Sequence, residues 1–299
     1  MTPAGSGSSL RADLALAGIA LIWGATFVMV KEALQDASTL LFLALRFSLA
    51  SVALGLVFRT CYGGFFAGRR TLKAGLLAGI CLFAGYLLQT FGLRYTTASK
   101  SAFLTGLSIV LVPLLGSAVY RTVPHASEWL GVVVAMAGMG LLTLHGDSIG
   151  IGFGDLLTLG CAVAFAAHIL VVGHYSRKVG FEGLSLIQIT TAASIALATF
   201  WWIEPPRVQW TPGLLAALGV TGLLATALAF TVQAWAQKHT TATHTALIFA
   251  LEPVFAWVTS YVVAGERLSA RAGLGAVLIL GGILLVEVKP IGPAQHRFT

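Results

Sequence analysis

The chain is 299 residues long, 57% hydrophobic and only 10% charged, with a mean hydropathy of +0.89. A water-soluble domain carries ~25% charged residues, so this composition excludes one, and the unit of organisation becomes the membrane span of ~20 apolar residues. The net charge of +7 is scattered along the chain and not gathered in a stripe, which argues against nucleic acid as a partner.

Residues 1–11, opening MTPAGSGSS, read as a short flexible tail, and no small-residue cleavage site lies beyond the first apolar run, so no cleaved signal peptide is expected. Ten apolar runs bounded by charge, Gly or Pro then predict ten helices near 13–33, 39–58, 72–93, 98–120, 127–144, 154–176, 183–203, 212–237, 243–264 and 271–288. Every connection is short, which leaves no soluble catalytic domain, and residues 289–299 form a C-terminal tail. Cys61, Cys81 and Cys161 lie in or beside these runs without CxxC or CxxH spacing, so neither a disulfide, a zinc site nor any cofactor is expected.

Orientation is read from the loop cations. With the N-terminus inside, the cytoplasmic set is Arg11, Arg59, Arg69, Arg70, Lys73, Arg121, Arg177, Lys178, Lys238, Lys289 and Arg297, against Lys31, Arg94, Lys100, Arg207, Arg267 and Arg271 outside. Both termini are therefore placed in the cytoplasm, and residues 145–153 on the outer face.

The chain also repeats. QTFGLRYTTA (89–98) aligns with QAWAQKHTTA (233–242) and LGVVVAMAGMGLL (130–142) with LGAVLILGGILLV (274–286), both at an offset of 144, while ADLALAGIA (12–20) aligns with GDLLTLGCA (154–162) at 142. Two halves of five spans result, residues 12–148 and 149–288. An odd number of spans starts the second half on the opposite membrane face, so the expected fold is an all-α integral membrane protein of ten transmembrane helices in two inverted five-helix repeats around a central cavity.

LIWGATFVMV (21–30), LALRFSLA (43–50), GLRYTTAS (92–99), the GDLL opening of the sixth span and LEPVFAWVTSYVVAGERLS (251–269) resemble the EamA branch of the drug/metabolite transporter superfamily, over about residues 12–288. The first half departs from the pattern at YRTVPHAS (120–127), where the family often shows a Gly-Glu pair. The resemblance implies two inverted bundles that move small organic metabolites, with amino-acid exporters, aromatic ones included, prominent among them.

The polar residues inside the spans are the candidate site. One helical face of the ninth span carries Thr245, Phe249, Glu252, Ala256 and Thr259, and the offset of 144 maps it onto Ser101, Thr105, Ser108, Val112 and Leu115 of the fourth. Pro113 and Pro253 cannot donate to the carbonyls of Ile109 and Phe249, so both helices are expected to break there and face the cavity. Glu252 reads either as a substrate or proton ligand or as a hydrogen-bonded packing residue. Arg46 either holds a substrate carboxylate or ties helix ends together, with Gln188 as its repeat mate. His168, mate of Thr26, is a proton carrier or a hydrogen-bonded core histidine. Gln89 and Gln233 pair across the repeats as neutral cavity ligands. Trp23, Tyr86, Phe165, Trp235, Phe249 and Trp257 are either packing aromatics or ligand contacts. Gly131, Ala135, Gly138, Gly275, Gly281 and Gly282 permit close helix contact, within the chain or between copies of a homodimer.

An intramembrane enzyme would need HExxH, GxSG or paired intramembrane aspartates, and none occurs; nor does the GxxxxGK[ST] of an ATP-driven pump. The expected function is a secondary transporter of the inner membrane that exports small amphipathic metabolites, amino acids foremost, by alternating access. Carriers of other metabolites or drugs, and a channel or scramblase, are the competing readings.

Overall fold

A computed structural model describes residues 6–62, 68–96, 98–120, 126–143, 152–264 and 270–287. The described residues are mostly helical: α1 (Ser6–Asp36), α2 (Thr39–Tyr62), α3 (Arg69–Tyr95), α4 (Ala98–Gly106), α5 (Ser108–Tyr120), α6 (Ala126–Thr143), α7 (Phe153–Tyr175), α8 (Phe181–Ile203), α9 (Pro212–Gly219), a π-helical segment (Val220–Leu228), α10 (Ala229–Ala236), α11 (Ala242–Phe249), α12 (Glu252–Ala264) and α13 (Ala270–Glu287). Among the described residues the one β pairing is an isolated bridge from Ala37 to Val208. Helix is what hydrocarbon demands, because every backbone polar group must find its partner within the segment.

Among the described residues eight helical runs are long and apolar enough to cross a membrane, while Ala126–Leu141 and Ala270–Leu285 are shorter apolar helices. At 1.5 Å per residue, the 18 residues of α6 and of α13 reach ~27 Å, near the lower bound for a span. Apolar side chains point outward as readily as inward: Leu14, Val133 and Trp202 are exposed on helices whose other faces are buried.

Four details differ from the sequence reading. Helix α1 already starts at Ser6, inside the tail expected to be flexible, since nothing between Ser6 and Arg11 breaks a helix. The fourth span is interrupted at Leu107 and the ninth at Ala250–Leu251, ahead of the prolines in both cases. Pro113 sits inside α5 and breaks nothing; Pro253 is the second residue of α12, where a missing N–H has no partner to lose. Proline thus restarts the ninth helix after a tight turn closed by Ala250 N–H to Leu247 O and Leu251 N–H to Ile248 O, both 3.0 Å. The fourth is the π segment, which no sequence feature announced. Of the expected outer loop, 145–153, all but Gly152 and Phe153 lies outside the described residues, as do the boundary between halves at 148–149, GERLS at 265–269 and the C-terminal tail, 289–299.

Helix α3 packs against α7 and α8; the α9–π–α10 segment packs against α1 and α2. Helices α4 and α5 lie on α7, α11 and α12 on α1, α2 on α8, and α6 on α13. Glycine sets the last of these. A β-carbon on Gly138 would meet Gly275 O at 2.5 Å and Ile279 N at 2.8 Å, and one on Gly282 would meet Gly131 O at 2.6 Å. The small residues read from sequence therefore seat α6 on α13 within the chain. Gly138→Ala, which forces backbone against backbone, should cost ~1–3 kcal/mol, while Gly281→Ala, with open space around it, should be silent; equal thermal unfolding midpoints for the two variants in detergent would refute this packing.

Candidate functional site

A cavity of about 90 Å³ opens between the two halves, several times the ~10–15 Å³ that one water needs. Its wall is drawn from α1 (Trp23, Thr26, Phe27), α2 (Arg46), α3 (Tyr86, Gln89, Thr90), α4 and α5 (Thr105, Ser108), α6 (Met139), α7 (Phe165, His168), α10 (Phe230, Gln233), and the ninth-span break (Phe249, Glu252, Pro253). Both helix breaks supply lining on either side of the interruption: Thr105 and Ser108 in one half, Phe249 and Glu252 in the other.

Two residues expected in the lining are elsewhere. Thr245 is fully buried, and its hydroxyl donates to Thr241 O at 2.9 Å on its own helix. Ser101 is likewise fully buried outside the cavity wall, with no partner for its hydroxyl among the described residues. The expected face holds beside each break and runs out one turn earlier: Thr105 and Phe249 line the cavity, while Ser101 and Thr245, four residues before them on α4 and α11, lie beyond its wall. Trp235 and Trp257 also lie outside the lining.

Arg46 is the buried cation of the site, 3% exposed. Its Nε donates to Thr226 Oγ1 at 2.7 Å, and its Nη2 donates to Tyr86 Oη at 3.0 Å and Ala225 O at 3.4 Å. The guanidinium carbon also stands 4.4 Å from the Tyr86 ring centroid. Every one of these partners is neutral. The π segment provides two of them. In it the Ala229 N–H reaches Leu224 O and Thr226 O, which relieves the Ala225 carbonyl of the bond it would receive in an α-helix. That carbonyl instead accepts from Arg46 and, at 2.9 Å, from Trp23 Nε1.

Glu252 opens α12 and is half-buried at the cavity. Among the described residues its carboxylate takes part in no hydrogen bond and no ion pair, and Arg46 has no ion-pair partner either. The site therefore holds one basic and one acidic group, with no ion pair between them among the described residues.

The other polar groups are tethered. His168 Nε2 lies 2.8 Å from Gln188 Oε1, and its ring stands edge-on to Phe230 with centroids 5.5 Å apart. Gln89 Nε2 donates to Thr105 Oγ1 at 3.2 Å, which in turn is 3.7 Å from Cys161 Sγ. Gln233 Nε2 donates to Gln237 Oε1 at 3.1 Å. Rings close the remaining wall: Trp23 meets Phe249 at 4.9 Å and Phe230 at 5.4 Å, and Tyr86 meets Phe165 at 5.4 Å in a T-shaped pair, arrangements aromatic quadrupoles favour. Phe230, Thr90 and Met139 were not singled out from sequence. Phe230 sits just past the π segment, whose extra residue turns it inward, and no residue pattern signals that turn.

Three comparisons bear on what such a molecule is. An uncharacterized transporter of Archaeoglobus fulgidus is 35% identical over 280 residues, covering 94% of this chain and 87% of that protein. The uncharacterized inner membrane transporter YedA of Escherichia coli is 23% identical over 285 residues, covering 94% and 92%. One solved crystal structure superposes with a TM-score of 0.77 at 19% identity, covering 93% of this chain and 98% of its own, which shows the shared fold. The model of the EamA-like transporter family matches twice, over residues 10–144 and 152–288, so both halves of this membrane protein carry the family's pattern, and the chain belongs to the EamA-like transporter family.

Proposed function

We propose that this EamA-family transporter exports amino acids, aromatic ones included, across the inner membrane by alternating access. The observation that carries the reading is the pairing of Arg46 and Glu252 in one aromatic-walled cavity, each without an ion-pair partner among the described residues. A buried charge needs a counter-charge or water. A zwitterion supplies both: its carboxylate meets Arg46, its ammonium meets Glu252, and its side chain packs among Trp23, Phe165, Phe230 and Phe249. The direction, export, rests on the chain's resemblance to the EamA branch, in which amino-acid exporters are prominent.

Alternating access rests on the inverted repeat, which two features support. The interruptions at Leu107 and Leu251 lie 144 residues apart, the same offset that aligns the TTA segments. The packing also exchanges under the repeat: α3 on α7 and α8 becomes the eighth span on α1 and α2, and α4–α5 on α7 becomes α11–α12 on α1. The self-paired contacts α2–α8 and α6–α13 would lie on the pseudo-two-fold axis.

With the purified chain in liposomes, flux of labelled phenylalanine should saturate and be stimulated from the opposite side. Glu252→Gln, close in size, should raise KM about tenfold or more, as expected for loss of a charged hydrogen-bond partner, with folding intact. Unsaturable flux would point to a channel, and an unchanged KM would remove Glu252 from the site. Orientation is tested separately. In a background free of Cys61, Cys81 and Cys161, Lys178→Cys should react with an impermeant thiol reagent only from the cytoplasmic side and Pro206→Cys only from outside; the reverse pattern would invert the topology.

A further inference from the structure

The amide of Gln233 is held in a single orientation by two carbonyl groups behind it. The Ile169 carbonyl on α7 can only accept, and it accepts from Gln237 Nε2 at 3.1 Å. Gly173 leaves room for that reach, since a β-carbon there would lie 3.4 Å from the same nitrogen. Gln237 must therefore turn its Oε1 back along its own helix, where it accepts from Gln233 Nε2 at 3.1 Å. Flipping either amide would set two oxygens against each other. What remains is Oε1 of Gln233, a carbonyl on a residue 1% exposed, at the cavity wall, with no hydrogen-bond partner among the described residues. A buried acceptor in that position is costly until a donor comes to it.

We propose that Gln233 presents Oε1 to the transported molecule as a fixed acceptor, so that the site selects ligands carrying an N–H donor next to an apolar group, with Gln237 as the positioning residue that sets this polarity. The inference rests on the amino-acid reading of the cavity and sharpens it: the ligand ammonium is shared between a carboxylate, Glu252, and a neutral dipole whose direction cannot reverse. Gln89, the repeat mate of Gln233, lacks such a lock. Its partner is the Thr105 hydroxyl, which can donate or accept, so that amide is free to suit either kind of ligand group.

The test measures equilibrium binding to the purified full-length chain with three probes that share one phenyl side chain: L-phenylalanine, 3-phenylpropionate, which lacks the amine, and 2-phenylethylamine, which lacks the carboxylate. Gln233→Met, nearly isosteric, should weaken phenylalanine and phenylethylamine about tenfold and leave phenylpropionate within about twofold. Gln237→Leu leaves the cavity wall in place but unlocks the amide, and should narrow the preference for phenylalanine over phenylpropionate several-fold; it decides the matter alone if Gln233→Met does not fold. Equal weakening of all three probes by Gln233→Met, or an unchanged preference in Gln237→Leu, would overturn the proposal. Phenylalanine binding that ignores both substitutions overturns it while sparing the amino-acid reading. Gln233-dependent binding of phenylethylamine alone sustains the proposal and overturns that reading, and failure of both amine probes to bind overturns the two together.

Discussion

The arrangement depends on one demand, that a guanidinium buried at membrane depth be given acceptors. Arg46 sits on α2 among apolar neighbours, and hydrocarbon offers it nothing. A regular helix offers little more, because its carbonyls are already engaged. The π segment in the eighth span meets the demand by shifting register, which turns out the Ala225 carbonyl and the Thr226 hydroxyl toward Arg46. The Thr226 hydroxyl is itself aimed by donating to Thr221 O at 2.7 Å, five residues back, a contact that the wider π turn creates. Tyr86 Oη joins the acceptors and Trp23 Nε1 donates to the same Ala225 carbonyl, so one polar knot fastens α1, α2, α3 and the eighth span. The aromatic wall of the cavity is hung from that knot.

The spans were legible in the sequence because their signal is coarse: twenty apolar residues between charges leave little choice of structure. The helix ends moved by only a few residues, mostly by extension into loops that contained nothing to stop them. The position of the breaks was less legible. Pro113 and Pro253 mark interrupted spans, yet a proline is tolerated best at the start of a helix, and Pro253 takes that place while Pro113 is absorbed within α5. The repeat offset was the better guide, since Leu107 and Leu251 correspond through it. The π segment was illegible for a simple reason. VTGLLATAL contains no proline and reads as ordinary apolar helix, and the group that its carbonyl and hydroxyl serve, Arg46, lies about 180 residues earlier in the chain.

The same logic separates the site residues that converge from those that do not. Gln89, Tyr86, His168 and Trp23 each lie within an uninterrupted stretch, and helical periodicity carries them to the cavity. Thr245 and Ser101 share a helical face with Phe249 and Thr105 but stand one turn farther from the break, where the cavity wall has already ended. Phe230 reaches the wall from α10 directly after the π segment, a register that no residue pattern announces.

The packing of the spans corresponds across the sequence repeat more closely than the polar residues do. Corresponding spans make corresponding contacts, but Arg46 is matched by Gln188, Thr26 by His168 and Ser108 by Glu252. Each substitution places a charge or a titratable group on one side only. Gln89 and Gln233 are identical in type, yet one amide donates to a neighbouring span and the other along its own helix. Under the proposed function, a ligand in this cavity meets the Arg46 cation, the Glu252 carboxyl and the Gln233 acceptor. Duplication alone would have produced matched walls, suited to a symmetric occupant. The divergence of these few pairs gives the site a direction, which a molecule with distinct positive and negative ends can adopt and a featureless apolar one cannot.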